Sequence, residues 1–297
     1  MPEEEDAPPI DSRVGARLNI LVAEDNEINR DVIARQLEIL GHHADLAIDG
    51  ERAFRMWGDA HYDLVLTDLH MPTRDGYELA ALIRETEHRR DLDRTPIIAL
   101  TANAMKGEEA HCLEVGMDAY LSKPIELARL KSVLNQWQPT TGASGTAGAA
   151  ESETPTPDKE IGELALFDPN ALTRLVGNKP ATHDRLLRHF LASLEERRMA
   201  LLQARDRQDL VAIGQFAHSL KSAARAAGAM QLGELCDRLE RAGGAGDAQA
   251  AEALLPQFET NCQAVVQAVD ARLGRAGQTG DDVAVEGSKA DAQQPLQ

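Results

Sequence analysis

Between Leu18 and Ser122 five short apolar runs alternate with amphipathic stretches, and that alternation leaves few folds open. The runs are Leu18–Val22, Ala44–Ala47, Leu64–Thr67, Pro96–Leu100 and Ala119–Ser122. Each is strand-length. The segments between them repeat apolar residues at helical spacing, as with Ile28, Val32, Leu37 and Leu40, and again with Leu79, Ala80 and Ile83. Continuously apolar strands alternating with helices predict an α/β domain, a five-stranded, doubly wound parallel sheet covered on both faces. In such sheets ligands bind beyond the carboxyl ends of the strands.

The character changes after Trp137. The stretch PTTGASGTAGAAESETPTPDKE is rich in small and polar residues and has no apolar period, so it is expected to be a flexible linker. Beyond Leu166 only helical patterns remain, expected over His183–Arg205, Asp209–Ala227, Met230–Arg241 and Asp247–Arg272, with a short element after Asp168-Pro169. Four helices with short connections predict an antiparallel four-helix bundle. Gly243-Gly244-Ala245-Gly246 follows no strand and lacks a Walker lysine, so it is expected to be a helix–helix turn. The expected limits are a disordered leader over 1–16, an α/β domain over 17–138, a linker over 139–165, an all-α domain over 166–273 and a disordered tail over 274–297.

Composition narrows the function classes. With 31 basic against 49 acidic residues the formal charge is −18, which disfavours a sequence-independent grip on nucleic-acid phosphates. Cys112, Cys236 and Cys262 are too few and too far apart for a disulfide framework or a zinc site, and are expected as small buried hydrophobes. No apolar run approaches the length of a membrane span. The acidic, proline-containing start is unlike a signal peptide, and a cytoplasmic location is the expectation.

The polar residues after the strands converge. Glu24-Asp25 follow the first run, Asp68 ends the third, Thr101 the fourth, and Lys123 follows the fifth. Asn26 is placed to cap the next helix. Three carboxylates at one sheet edge repel unless a cation neutralises them. Oxygen ligands of this kind suit Mg²⁺, which leaves room for a phosphate oxygen. With that charge offset, Asp68 can attack phosphorus as a carboxylate nucleophile, while Lys123 and the Thr101 hydroxyl neutralise the equatorial oxygens. Phosphatases of the haloacid-dehalogenase class also use a strand-end Asp, but Asp68-Leu69-His70-Met71-Pro72 lacks their second Asp.

This set resembles the response-regulator receiver domain, through Glu24-Asp25, Asp68 in TDLHMPTRDG, Thr101 in LTANA and Lys123-Pro124 in YLSKPI. The resemblance implies a phosphoacceptor at Asp68. It makes Asp25 and Asp68 direct metal ligands, Glu24 a less direct one, and the His70 backbone carbonyl a further ligand. Tyr120 is the implied switch residue, changing rotamer as Thr101 moves toward phosphate. The His70 side chain is expected to face solvent.

Among nine histidines His218 stands apart, in IGQFAHSLKSAARAAGA. Lys221, Ser222 and Arg225 follow at i+3, i+4 and i+7 on the same helix face, the rest of which is small. Such a face admits another protein, with two cations expected to meet the incoming phosphate. The stretch resembles the histidine-containing phosphotransfer (HPt) domain in His218, Leu220, Lys221, Gly228 and Ala229, although that family usually has Gly where Ser222 stands. Together the two resemblances imply a phosphorelay protein similar to the C-terminal part of hybrid sensor histidine kinases. It would accept a phosphoryl group from a histidine kinase and exchange it with its own or another receiver, as a stoichiometric carrier and not an enzyme. The alternatives are a phosphorylation-switched interaction module, an Mg²⁺-dependent phosphatase at Asp68, and a detached tail of a hybrid kinase.

Overall fold

The structure, a computed structural model, describes residues 17–102, 106–137 and 161–285. The expected leader, most of the expected linker and the last part of the expected tail lie outside the described residues.

The first domain runs β1 (Asn19–Ala23), α1 (Glu27–Ile39), β2 (His43–Ala47), α2 (Gly50–Asp59), β3 (Leu64–Asp68), α3 (Gly76–Arg90), β4 (Ile97–Thr101), α4 (Lys106–Glu114), β5 (Ala119–Ser122) and α5 (Leu127–Gln136). All strand pairings are parallel, in the order β2-β1-β3-β4-β5. Successive strand residues face opposite sides of a sheet, so each strand feeds two cores. Ile20, Val22, Leu64, Leu66, Ile98 and Leu100 pack with Ile33 and Leu37 of α1 and with α5. Leu21, Val65, Ile97 and Ala99 pack on the other side with α2, α3 and Cys112 of α4. The β1–β3 junction is where the chain reverses direction through the sheet, and the crevice above it is bounded by the ends of β1, β3 and β4.

The second domain runs α6 (Ala171–Val176), α7 (Pro180–Asp206), α8 (Leu210–Ala227), α9 (Met230–Ala245) and α10 (Ala248–Val285). Pro180 stands in the first turn of α7, where its missing N–H costs no bond. Asp209 caps α8 by accepting from Ala212 N at 3.0 Å. Gly228 ends α8 at φ 91°, and a Cβ there would lie 2.3 Å from Asp168 O, so only glycine suits the position.

Three boundaries differ from expectation. Helix α9 runs through Gly243-Gly244 and ends at Gly246, which holds the left-handed cap at φ 69°. The glycines serve close packing here: a Cβ on Gly243 would sit 2.8 Å from Gly214 Cα and 2.6 Å from Leu210 O. Helix α10 continues to Val285, past Arg272; no proline interrupts those residues, and each added residue can extend the hydrogen-bond ladder. Within the expected linker, Ile161–Glu163 form a 3₁₀ turn, and Leu164 O accepts from Gln231 Nε2 at 2.8 Å.

The two domains meet along α1. Its Ile33 and Leu37 face the sheet, whereas its Ile28 and Val32 join the core of the helical domain beside residues of α6, α7 and α8. A helix with apolar residues on two sides has two neighbours to satisfy. No helix among the described residues is long and apolar enough to cross a membrane. The three cysteines are buried.

Candidate functional site

The crevice gathers the residues expected there. Glu24, Asp25 and Asp68 each place a carboxylate oxygen within 4.8 Å of the others. Lys123 Nζ lies 2.5 Å from Asp68 Oδ2 and 2.6 Å from Glu24 Oε2, and Thr101 is buried at the end of β4. Burial works against the Lys123 charge, but Asp68 and Glu24 outweigh it and hold the ammonium up. Burial pushes the Glu24 carboxyl well above the usual carboxylate range, despite the pull of Lys123, and Asp68 and Asp25 add to the rise. Burial, with Asp68 beside it, likewise raises Asp25. Three carboxylates share one ammonium, so the donor set is short of positive charge and oxygen-only, which fits a hard divalent cation.

The local sequence builds this edge. Asn26 Oδ1 caps α1, accepting from Ile28 N at 3.0 Å and Asn29 N at 3.3 Å, and so turns the chain just after the acidic pair. Asn29 Nδ2 donates to Glu24 Oε1 at 2.9 Å, and Arg30 Nη1 donates to the carbonyls of Glu24 and Asp25 at 2.7 Å. His70 N donates to Asp68 Oδ1 at 3.3 Å. Behind Asp68, a Cβ on Gly76 would come within 2.2 Å of Asp68 O, so this glycine lets α3 start against the strand end.

Across the domain boundary His218 faces this crevice. Its ring lies 4.9 Å, edge-on, from that of His70, and His218 and Arg197 are both near enough to Asp25 to pull its carboxyl down. His218 Nδ1 is 2.8 Å from Glu240 Oε1. Glu240 Oε2 is 2.7 Å from Lys221 Nζ, which also donates to Asp237 Oδ1 at 3.0 Å. Burial works against the Glu240 charge, but His218 and Lys221 outweigh it and draw the carboxyl down to about 2. A carboxylate on Nδ1 fixes the tautomer that carries its proton there and leaves Nε2 with the free lone pair.

Two family models match the chain: the response regulator receiver domain over residues 20–135 and the Hpt domain over residues 185–268. The chain is a receiver domain followed by an Hpt domain. Similar proteins include the sensor protein GacS of Pseudomonas syringae pv. syringae, 34% identical over 233 residues, covering 78% of this chain and 25% of that protein. The aerobic respiration control sensor protein ArcB of Escherichia coli is 29% identical over 224 residues, covering 75% of this chain and 28% of that protein. Among solved structures, the receiver domain of a Pseudomonas aeruginosa sensor histidine kinase is 43% identical, covers 41% of this chain and 98% of that one, and has a TM-score of 0.38. The chain spans about a quarter of the length of the GacS proteins it matches. Receiver and Hpt domains in one chain place it in two-component phosphorelay signalling.

Within the receiver, Glu24, Asp25, Asp68 and Lys123 come together, Thr101 is buried at the end of β4, and Tyr120 is half-buried against the core on the α2–α3 side. His70 is exposed, yet its ring meets His218 instead of facing solvent alone. The Hpt face differs more. Lys221 was expected to meet phosphate, but it is fully buried and bound by two carboxylates of α9. Arg225 reaches Glu234 Oε2 at 3.8 Å and lays its stem over Gly233, where a Cβ would lie 2.6 Å from Arg225 Cγ. Both cations turn toward α9 because that helix carries Glu234, Asp237 and Glu240, one helical turn apart. Glu240 and Asp237 were missed. The signal was present in LGELCDRLERAG, where acidic residues at three-residue spacing border the buried stripe of Leu232, Leu235, Cys236 and Leu239.

Proposed function

We propose that this chain is a stoichiometric phosphocarrier, a receiver over 17–138 joined by a linker to an Hpt domain over 166–273, that takes a phosphoryl group on Asp68 and passes it to His218. The observation that carries the proposal is the position of His218, whose ring stands at the mouth of the Asp68 crevice with Nδ1 held by Glu240. In the first step Asp68 attacks the phosphorus of a phosphohistidine on a histidine kinase; a P–O bond forms as the P–N bond breaks and the kinase imidazole leaves. In the second, His218 Nε2 attacks the same phosphorus and the Asp68 carboxylate leaves.

Glu24, Asp25, Asp68 and the His70 carbonyl would hold Mg²⁺, which supplies charge neutralisation for the phosphoryl oxygens. Lys123 and Thr101 contact those oxygens, and Tyr120 follows the movement of Thr101. Ser222 belongs to the small face that admits a receiver, Arg225 borders it, and Lys221 acts through Glu240. The partners are a histidine kinase and one or more receivers, its own included.

The test uses the full chain, Mg²⁺ and a labelled small acyl phosphate. The unsubstituted chain gains base-labile label on Asp68 and acid-labile label on His218. Asp68→Asn should abolish both, and His218→Gln should keep label on Asp68 alone. Labelling of Asp68→Asn to the unsubstituted level would remove the assignment.

A further inference from the structure

Helix α1 meets the Hpt domain through a hydrogen-bonded anchor at each end, with Ile28 and Val32 between them and Asp31 Oδ2 3.5 Å from His189 Nδ1 of α7. At its N-terminal end Asn26 Nδ2 donates to Ser219 O at 2.9 Å, one residue from His218. Ten residues on, about 15 Å along the helix, Gln36 Nε2 donates at 2.5 Å to Ile125 O in its own domain and at 3.0 Å to Leu175 O in α6. Leu175 is in the last turn of α6, where carbonyls have no partner within the helix. Gln36 therefore caps α6 across the domain boundary. Ser219 meets Asn26, and the small residues Ala223 and Ala226 of α8 share a core cluster with Ile28 and Val32, which lets α1 lie close.

The two anchors differ in what they recognise. Asn26 binds a backbone carbonyl beside the reacting histidine, which any histidine-bearing helix can present. Gln36 binds α6, and α6 lies outside the segment matched by the Hpt family model, which begins at residue 185. Gln36 is fully buried in the contact, and its Oε1 has no hydrogen-bond partner among the described residues, beside a cavity of about 20 Å³ lined by Val32, Leu175 and Ala226. In this arrangement Asp68 is 3% exposed, with His70 and His218 at the mouth of the crevice.

We infer that Gln36 is a recognition and positioning residue that docks this receiver on its own Hpt domain through α6, favouring Asp68-to-His218 transfer within one chain while shielding Asp68 from outside donors. The inference rests on the proposed relay between those two residues. The test compares the full chain with Gln36→Glu, which keeps the side-chain shape but removes the donor. Both are treated with Mg²⁺ and a small acyl phosphate, and hydrogen exchange is followed in parallel. In Gln36→Glu the amides of α6 should exchange faster while those of β3 and β4 hold. Asp68 labelling should accelerate severalfold, and transfer to His218 should slow about tenfold. A receiver merely damaged by the substitution would lose both labels together, which would overturn the inference, as would unchanged exchange and unchanged transfer. Failure of the relay itself shows differently, as absence of label on Asp68 or His218 in the unsubstituted chain, while the exchange comparison still reports docking.

Discussion

Asp68 needs its neighbours to balance charge, and Lys123 is a fixed cation within 2.6 Å of two carboxylates in the crevice. Lys123→Ala should leave Mg²⁺ binding intact or stronger, because a competing cation is gone. It should slow phosphoryl transfer to Asp68 on the order of a hundredfold, since a preorganised charge on the developing phosphoryl oxygens is lost. Calorimetry and labelling rates separate the two effects. Glu240 acts on the other partner. Glu240→Gln can still contact the imidazole but no longer favours its Nδ1–H tautomer, and transfer to His218 should fall on the order of tenfold, ~1.4 kcal/mol. Its titration gives a second readout. The carboxyl lies at about 2 in the fold against an ordinary 4.5, so its contribution is complete above 4.5 and lost as pH falls toward 2. Hpt unfolding followed between those limits should show an acid-dependent loss on the order of 1–3 kcal/mol, and Glu240→Gln should flatten that part of the curve. Asp68, the acidic pair and Lys123 were legible because each follows a strand whose apolar run is unmistakable. Glu240 was not, because its partnership with His218 spans two helices and no local spacing announces it.

At the scale of elements the doubly wound sheet was readable to within a residue or two, since five apolar runs admit one pleated layer covered on both sides. The α8–α9 pair was harder. Gly243-Gly244 looks like a turn in sequence, and only the approach of α9 to Gly214 reveals a packing role. Gly243→Ala should therefore destabilise the Hpt domain by about 1–3 kcal/mol through overpacking. The same change at Gly244, where nothing lies within 4 Å of an added Cβ, should be neutral or stabilising, as expected for Ala replacing Gly inside a helix. Thermal unfolding of the two variants checks the contrast; equal losses would mean that α9 does not approach α8 as described. Asp75 gives a cleaner case on the receiver. It accepts from Glu78 N at 2.8 Å and closes a capping box on α3, so Asp75→Ala should cost about 1 kcal/mol.

For the whole molecule, the apolar residues of α1 carried information that periodicity alone could not separate. Ile28, Val32 and Leu37 read as one stripe in sequence, but Ile28 and Val32 serve the Hpt core while Leu37, with Ile33, serves the sheet. Two domains were evident; that they share a helix was not. That shared helix sets His218 opposite Asp68, and the central claim is that phosphoryl passes between them. Rapid quench of the full chain with Mg²⁺ and a labelled acyl phosphate, resolved into base-labile and acid-labile label over time, tests it most directly. The expected record is label on Asp68 first, then its decline as label on His218 rises, at a rate unchanged by tenfold dilution. Label that stays on Asp68 with no phosphohistidine formed would contradict the claim.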